Sequence, residues 1–189
     1  MSKYVMVIDQ ARCVGCMACI VACKNENDVP PDHFRTRVIE NVSGKFPKLR
    51  MELRSELCNH CDHPPCVYNC PTGASYKNKE NGMVLLKQNR CVGCKACIAA
   101  CPYDARYIHP EHGYADKCTF CSHRIEKGLE PACVKTCIGK SRIFGDIEDS
   151  DSEISDLLRQ NHSYTLKSSS GTDPRVFYIN RITKPEQEN

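Results

Sequence analysis

A chain of 189 residues holds one large domain or two small ones. Its 26 Lys and Arg against 23 Asp and Glu leave a formal charge of +3, with no basic block and no Trp, which excludes the usual signature of a nucleic-acid binder. Sixteen residues are cysteine. The start, MSKYVMVIDQ, has neither a basic region followed by an apolar stretch nor a twin-arginine pair, so a secreted disulfide scaffold is disfavoured.

Residues 3–9, KYVMVID, predict a short strand leading into the first cysteine loop. That loop, RCVGCMACIVACK, carries Cys13, Cys16, Cys19 and Cys23 at C-x2-C-x2-C-x3-C spacing. Lys24 follows the fourth cysteine and lets a helix run on through ACKNEN. Residues 30–57 open on Pro30-Pro31, run through polar and basic sequence, and end in MELRSEL, whose alternation predicts a strand over 51–57. The second group is Cys58, Cys61, Cys66 and Cys70, spaced C-x2-C-x4-C-x3-C and closed by Pro71. PTGASYKNKENGMVLL then predicts strand, turn, strand, with Asn81-Gly82 at the turn.

The third group, CVGCKACIAACP, holds Cys91, Cys94, Cys97 and Cys101. Compared with the first loop, ten of thirteen positions are identical at an offset of 78 residues, so the chain contains an internal duplication. Pro102 stands where the first copy has Lys24 and restricts the helix there. ARYIH predicts another strand. The fourth group is Cys118, Cys121, Cys133 and Cys137 at C-x2-C-x11-C-x3-C. Alone it reads as readily as a zinc site. It shares C-x-H and P-x-C-V-x-x-C with the second group, with seven extra residues between, so groups one and three form one pair of repeats and groups two and four another. RIFGD at 142–146 predicts a closing strand. Ser150 with Glu153 fits a capping box for a helix whose Ile154, Leu157 and Leu158 face the protein body. VFYIN is a last short strand, and RITKPEQEN reads as disordered.

The C-x2-C-x2-C-x3-C-P run is a bacterial ferredoxin signature for a 4Fe–4S cluster, and in two-cluster ferredoxins its fourth cysteine serves the other cluster. Gly93, with no Cβ, permits the tight loop. Four groups of four use every cysteine, which predicts four all-cysteine clusters. Such clusters exchange single electrons and leave no open position for a substrate, and no phosphate loop, nucleophile elbow or HExxH accompanies them. Each site carries about −2, so four would take the chain from +3 to about −5. Arg12, Lys24, Arg90, Lys95, Arg106, Lys117, Arg124 and Lys135 lie near ligands in sequence, and Lys95, opposite Met17 in the repeat, is the candidate for raising a cluster potential. His60, His63 and His123 stand among groups that already have four thiols, so they read as packing or outer hydrogen bonding rather than iron ligands. No apolar run is long enough to span a membrane.

RCVGCMACIVACKNEN, CNHCDHPPCVYNCPTGASY, CVGCKACIAACPYDARYIHP, ADKCTFCSHRIEKGLEPACVKTC and GTDPRVFYIN together resemble the four-cluster electron-transfer subunits of membrane-bound molybdopterin oxidoreductases. The likeness is nearest to polysulfide and thiosulfate reductase iron–sulfur subunits, and extends to nitrite-reductase-associated, dimethyl sulfoxide, tetrathionate and arsenate reductase homologues. It implies an α+β fold of two interlaced ferredoxin-like modules. The outer module would be 1–50 with 112–147, the inner one 51–111, and 148–189 would be a C-terminal helix and docking tail. It implies one cluster on Cys13, Cys16, Cys19 and Cys137, and a second on Cys23, Cys118, Cys121 and Cys133. The inner pair would take Cys58, Cys61, Cys66 with Cys101, and Cys70 with Cys91, Cys94 and Cys97. Spacing alone leaves open the pairing of group one with two and three with four. Ile138 departs from the proline that many relatives have after the last cysteine. The resemblance further implies a molybdopterin catalytic subunit and a quinol-interacting integral membrane subunit as partners, with no catalytic site in this chain. It implies a place at the membrane through those partners, on the periplasmic face by co-export in preference to the cytoplasmic one. A soluble four-cluster subunit of a hydrogenase or formate dehydrogenase would use the same cysteines.

Overall fold

The computed structural model describes residues 2–180, so the disorder predicted for 181–189 lies outside the described residues. In chain order the elements are β1 (Tyr4–Asp9), α1 (Ala18–Asn27), β2 (Thr36–Lys45), β3 (Lys48–Leu57), α2 (Pro65–Tyr68), β4 (Ser75–Lys77), β5 (Val84–Leu86) and α3 (Ala96–Ala99). There follow β6 (Tyr107–Ile108), β7 (Ala115–Asp116), α4 (Ser122–Ile125), α5 (Ala132–Lys135), β8 (Arg142–Asp146), α6 (Glu153–Gln160), β9 (Ser163–Tyr164) and β10 (Val176–Ile179). Short helices and small sheets give the α+β architecture predicted from the sequence.

The continuous apolar run in YVMVID explains the centre of the molecule. β1 lies inside a four-stranded sheet of order β8-β1-β10-β9, antiparallel to β8 and parallel to β10. Val5, Met6, Val7 and Ile8 are all fully buried, because both faces of the sheet are covered. Met6 and Ile8 join Val176 and Tyr178 in a core that also contains Cys19, Cys58, Cys118 and Cys133. Val5 and Val7 face the other way, onto Ile143, Ile154, Leu157 and Ile179. The apolar stripe of α6 thus closes one side of the sheet and the cysteines close the other.

Two local details differ from the sequence expectation. The N-cap of α6 is Ser152, whose side chain accepts from the Ser155 backbone N–H, so the capping serine is two residues past Ser150. Segment 36–45 is also a strand: β2 pairs with β3 over ten residues, from Thr36↔Leu57 to Lys45↔Lys48. Charged residues on its polar face mask the alternation, and only the root of the hairpin, Thr36, Ser55 and Leu57, is buried. The proline difference between the repeats acts as the sequence predicts. α1 runs for ten residues through Lys24, whereas α3, ahead of Pro102, has four.

Two close approaches hold the loops together. Arg35, just before β2, makes a two-pronged ion pair with Asp116 on β7, with both contacts at 2.8 Å and both side chains about nine-tenths buried. At Gly139 an added Cβ would sit 2.1 Å from the Arg12 carbonyl oxygen, so the segment after Cys137 presses directly on the backbone of the first cysteine loop. Arg35→Ala is expected to cost about 3–5 kcal/mol, since it strands the Asp116 carboxylate in the interior. Gly139→Ala is expected to cost about 1–3 kcal/mol by forcing the two loops apart. Urea unfolding of anaerobically prepared variants measures both.

Candidate metal centres

No disulfide joins any of the sixteen cysteines, all of which lie among the described residues, and the fold regroups them. Cys13, Cys16 and Cys19 line one cavity together with Cys137 from the far end of the fourth sequence group. Cys23, from the first turns of α1, lines a neighbouring cavity with Cys118, Cys121 and Cys133. Neither sequence group one nor sequence group four therefore stays together in space. Helix α1 is the reason: it carries Cys19 and Cys23 apart, one turn along its axis. In the rest of the chain, Cys61 has Cys58, Cys66 and Cys101 as its electrostatic neighbours, and Cys97 has Cys91 and Cys70. Cys94 sits in the same loop between Cys91 and Cys97 and is exposed, as Cys16 is in the other repeat. Taken by neighbour in this way, with Cys94 placed by its loop, the cysteines sort into four quartets.

The sulfurs enclose volumes rather than a point. Among the described residues, no three His, Cys, Asp or Glu side chains converge closely enough for a single ion. A cubane asks for the wider setting, because each thiolate holds a different iron.

The surroundings of the quartets suit anionic sulfur. Backbone N–H groups of Ser75, Ala115, Phe120 and Ser141 donate to the sulfurs of Cys70, Cys91, Cys118 and Cys137 at 3.3–3.4 Å. Asn27 Nδ2 lies 3.7 Å from the Cys23 sulfur and 3.8 Å from that of Cys121, while its Oδ1 accepts from Arg35. Arg106 Nη2 donates to the Cys66 sulfur at 3.0 Å. Even so, burial and then the neighbouring cysteines push Cys23 and Cys61 up to about 12. Burial likewise drives Cys118 well above the ordinary thiol value. Cys70 is the exception: burial raises it, but donors from Ser75 and Thr72 bring it below the ordinary value. Burial thus biases the deepest thiols toward the protonated form. A bound metal deprotonates such ligands outright. The donor set fits iron–sulfur clusters: soft sulfurs, nine of the sixteen cysteines buried, four lining each of the two cavities, and backbone N–H donors at four of them.

The other residues singled out in the sequence fall into two classes. Arg12, Arg90, Lys95 and Lys135 are exposed, and Lys95 in particular projects into solvent, which screens its charge. Arg124 pairs with Glu26, and Lys24 donates to the Pro30 carbonyl. Arg106 and Lys117 are buried. His60 stacks on Phe120 with centroids 3.7 Å apart, and its Nδ1 accepts from the Val84 backbone. Burial, then Lys117, Arg106 and Arg175, hold it well below the usual imidazole range, so it is a neutral packing residue. His63 and His123 are surface side chains beside Asp173 and Glu26. Arg142 escaped the sequence reading. It is buried, and it lines both of the cavities formed by groups one and four. The signal for it is positional: it follows Cys137 by five residues, as Arg106 follows Cys101.

Comparison with known proteins agrees with this geometry. One 4Fe–4S dicluster domain matches residues 49–147 and another matches residues 7–74. The chain is 48% identical over 181 residues to a tetrathionate reductase subunit of Salmonella typhimurium, spanning 94% of this chain and 72% of that protein. It is 40% identical over 215 residues to a putative dimethyl sulfoxide reductase iron–sulfur subunit of Halobacterium salinarum, spanning 98% and 82%. It is 44% identical over 179 residues to protein NrfC of Escherichia coli, spanning 94% and 80%. Duplicated ferredoxin-like domains, quartets of free cysteines and these relatives lead to one conclusion: the chain belongs to the 4Fe–4S dicluster family of iron–sulfur reductase subunits.

Proposed function

We propose that this chain is the electron-transfer subunit of an anaerobic respiratory reductase of the polysulfide or thiosulfate reductase type. It holds four 4Fe–4S clusters and relays electrons between a quinol-oxidising integral membrane subunit and a molybdopterin catalytic subunit. The observation that carries this is the regrouping of fifteen of the sixteen cysteines by their neighbours, with Cys94 placed by its loop, into quartets each drawn from two sequence groups. When bound, such clusters exchange one electron at a time. The protein's own residues supply the thiolates, exclude water from the buried sulfurs and offset their charge. The chain has no catalytic site of its own in this reading.

Ligation is crossed. Cys13, Cys16, Cys19 and Cys137 hold one cluster, and Cys23, Cys118, Cys121 and Cys133 its neighbour, in an outer module of 1–50 with 112–147. Cys58, Cys61, Cys66 and Cys101 hold a third, and Cys70, Cys91, Cys94 and Cys97 the fourth, in an inner module of 51–111. Contacts between quartets support a single file. Cys118 of the second quartet is an electrostatic neighbour of Cys58 in the third, and Arg106 touches Cys66 of the third and feels Cys97 of the fourth.

Partners are supported from the surface. Val14, Val42, Phe46, Leu49, Met51 and Ile138 stand well exposed, which suits a chain that works inside an assembly. No helix of the described residues is long and apolar enough to cross a membrane, so attachment comes through the membrane subunit.

Anaerobic purification from the native source tests the assignment: the chain should carry about sixteen iron and sixteen sulfide per polypeptide and return with a large molybdenum protein. Zinc in place of iron, or a hydrogenase as the companion, would overturn it. Cys101→Ser tests the crossing. Its EPR spectrum should lose or alter the same cluster signal as Cys58→Ser and leave the Cys91→Ser signal untouched. Shared loss with Cys91→Ser would refute crossed ligation.

A further inference from the structure

Two arginines stand at the same spacing from the last cysteine of a group. Arg106 follows Cys101 by five residues and Arg142 follows Cys137 by five. Both are buried, at 6% and 3% exposure. The contrast with Arg35, which sits in a two-pronged pair with Asp116, is informative. Among the described residues neither Arg106 nor Arg142 has a carboxylate within ion-pair distance. Hydroxyls orient each of them instead: Arg106 Nη2 donates to Ser75 Oγ at 2.8 Å, and Arg142 Nη2 donates to Thr36 Oγ1 at 2.5 Å and to Ser55 Oγ. In both, Nη1 is buried with no hydrogen-bond partner.

What each arginine does face is sulfur, and sulfur from two quartets. Arg106 donates to Cys66, and its electrostatic partners are Cys66 and Cys58 of one quartet and Cys97 of the next. Arg142 has Cys133 of one quartet and Cys19 of the other as its partners. Among the described residues it is the one common to the linings of the two outer cavities.

A guanidinium stays charged in a protein, and a buried charge without a counterion is strongly unfavourable. The counterion of these two arginines is therefore whatever makes the quartets anionic. A thiolate-ligated 4Fe–4S site, at about −2, meets that requirement. We propose that Arg106 and Arg142 are matched electrostatic bridges, each shared by the two cluster sites of one pair and raising the potential of both. This rests on the reading that the quartets hold 4Fe–4S clusters. Reduction adds negative charge beside a fixed cation in an interior where screening is weak, so the reduced form gains more than the oxidised one. The exposed cations Arg12, Arg90 and Lys95 are screened and contribute little. Position, not number of cations, sets the potentials.

The test is an EPR-monitored redox titration of the assembled complex carrying Arg142→Gln, Arg106→Gln, or the charge-preserving Arg142→Lys and Arg106→Lys. With Arg142→Gln, the reduced-to-oxidised ratio of both outer clusters at a fixed poise should fall about tenfold, which is about 59 mV for one electron. The inner pair should not move. Arg106→Gln should give the mirror result. The lysine variants should keep most of the wild-type potentials. Full iron content with unmoved potentials overturns the proposal, and so does movement of one cluster only or of all four. If a glutamine variant fails to take up iron, its lysine counterpart decides: uptake with near-native potentials in both clusters supports the bridge, and failure like glutamine overturns it. A wild-type complex that lacks four clusters instead sinks the underlying assignment, so the two failures are distinguishable.

Discussion

Sulfur buried without water is the constraint that the rest of the structure answers. A thiol at the depth of Cys23 or Cys61 resists ionisation, with burial as the first cause and the sulfurs beside it as the second. Polar donors follow the sulfurs inward, among them the backbone N–H groups of Ser75, Ala115, Phe120 and Ser141. This goes with short helices beside the cysteines, the ten-residue α1 excepted. α2, α3, α4 and α5 have four residues each, and each turns away as soon as its sulfurs are in place. The principal core is part cysteine as well: Cys19, Cys58, Cys118 and Cys133 pack with Met6, Ile8 and Tyr178. In a chain of this size, cysteine does the space-filling that leucine does elsewhere, as a small hydrophobe whose sulfur also has chemical work.

The four-stranded sheet gives this core its fixed wall. β1 turns Met6 and Ile8 toward the sulfurs and Val5 and Val7 toward α6, so one strand serves two cores. β10 pairs with it in parallel, which brings residues late in the chain against the first cysteine loop. Tyr178 on β10 then donates to the Ser55 carbonyl at the root of the hairpin, and the Ser55 hydroxyl receives Arg142. Sheet, hairpin and the two outer cavities meet in that small polar network. A displacement of any one of them is felt at the guanidinium.

Much of this was legible in the sequence, for identifiable reasons. Cysteine spacing marks the ferredoxin-like repeats directly, so the duplication and the two dicluster domains are legible from it. The long α1 and the short α3 follow from Lys24 and Pro102. β2 was hidden because its strand is mostly solvated and its charged face, with Arg37 and Lys45, reads as loop. The α6 cap was displaced because Ser150 and Ser152 both precede an acidic turn, and only the backbone decides which side chain reaches the Ser155 N–H. Lys95 drew attention by standing between ligands, yet sequence proximity says nothing about solvent. Arg142 lies outside every cysteine motif, and its burial between two cavities depends on β8 lying against β1 and on the root of the hairpin folding over it.

A third buried cation completes the pattern. Lys117 is 1% exposed, and its Nζ donates to the carbonyls of Val84 and Cys118. It stands next to Cys118 of an outer quartet and is an electrostatic neighbour of Cys66 in an inner one. The proposed file of four clusters has three junctions. Arg142, Lys117 and Arg106 each occupy one of them. The two junctions within a pair carry arginine, whose planar fork can hold a hydroxyl with one edge and face sulfur with the other. The junction between the pairs carries lysine, whose compact ammonium is tied to backbone carbonyls and reaches sulfur only through space. Electrostatic coupling should accordingly be tighter within a pair than between pairs, a division that follows the duplication of the chain.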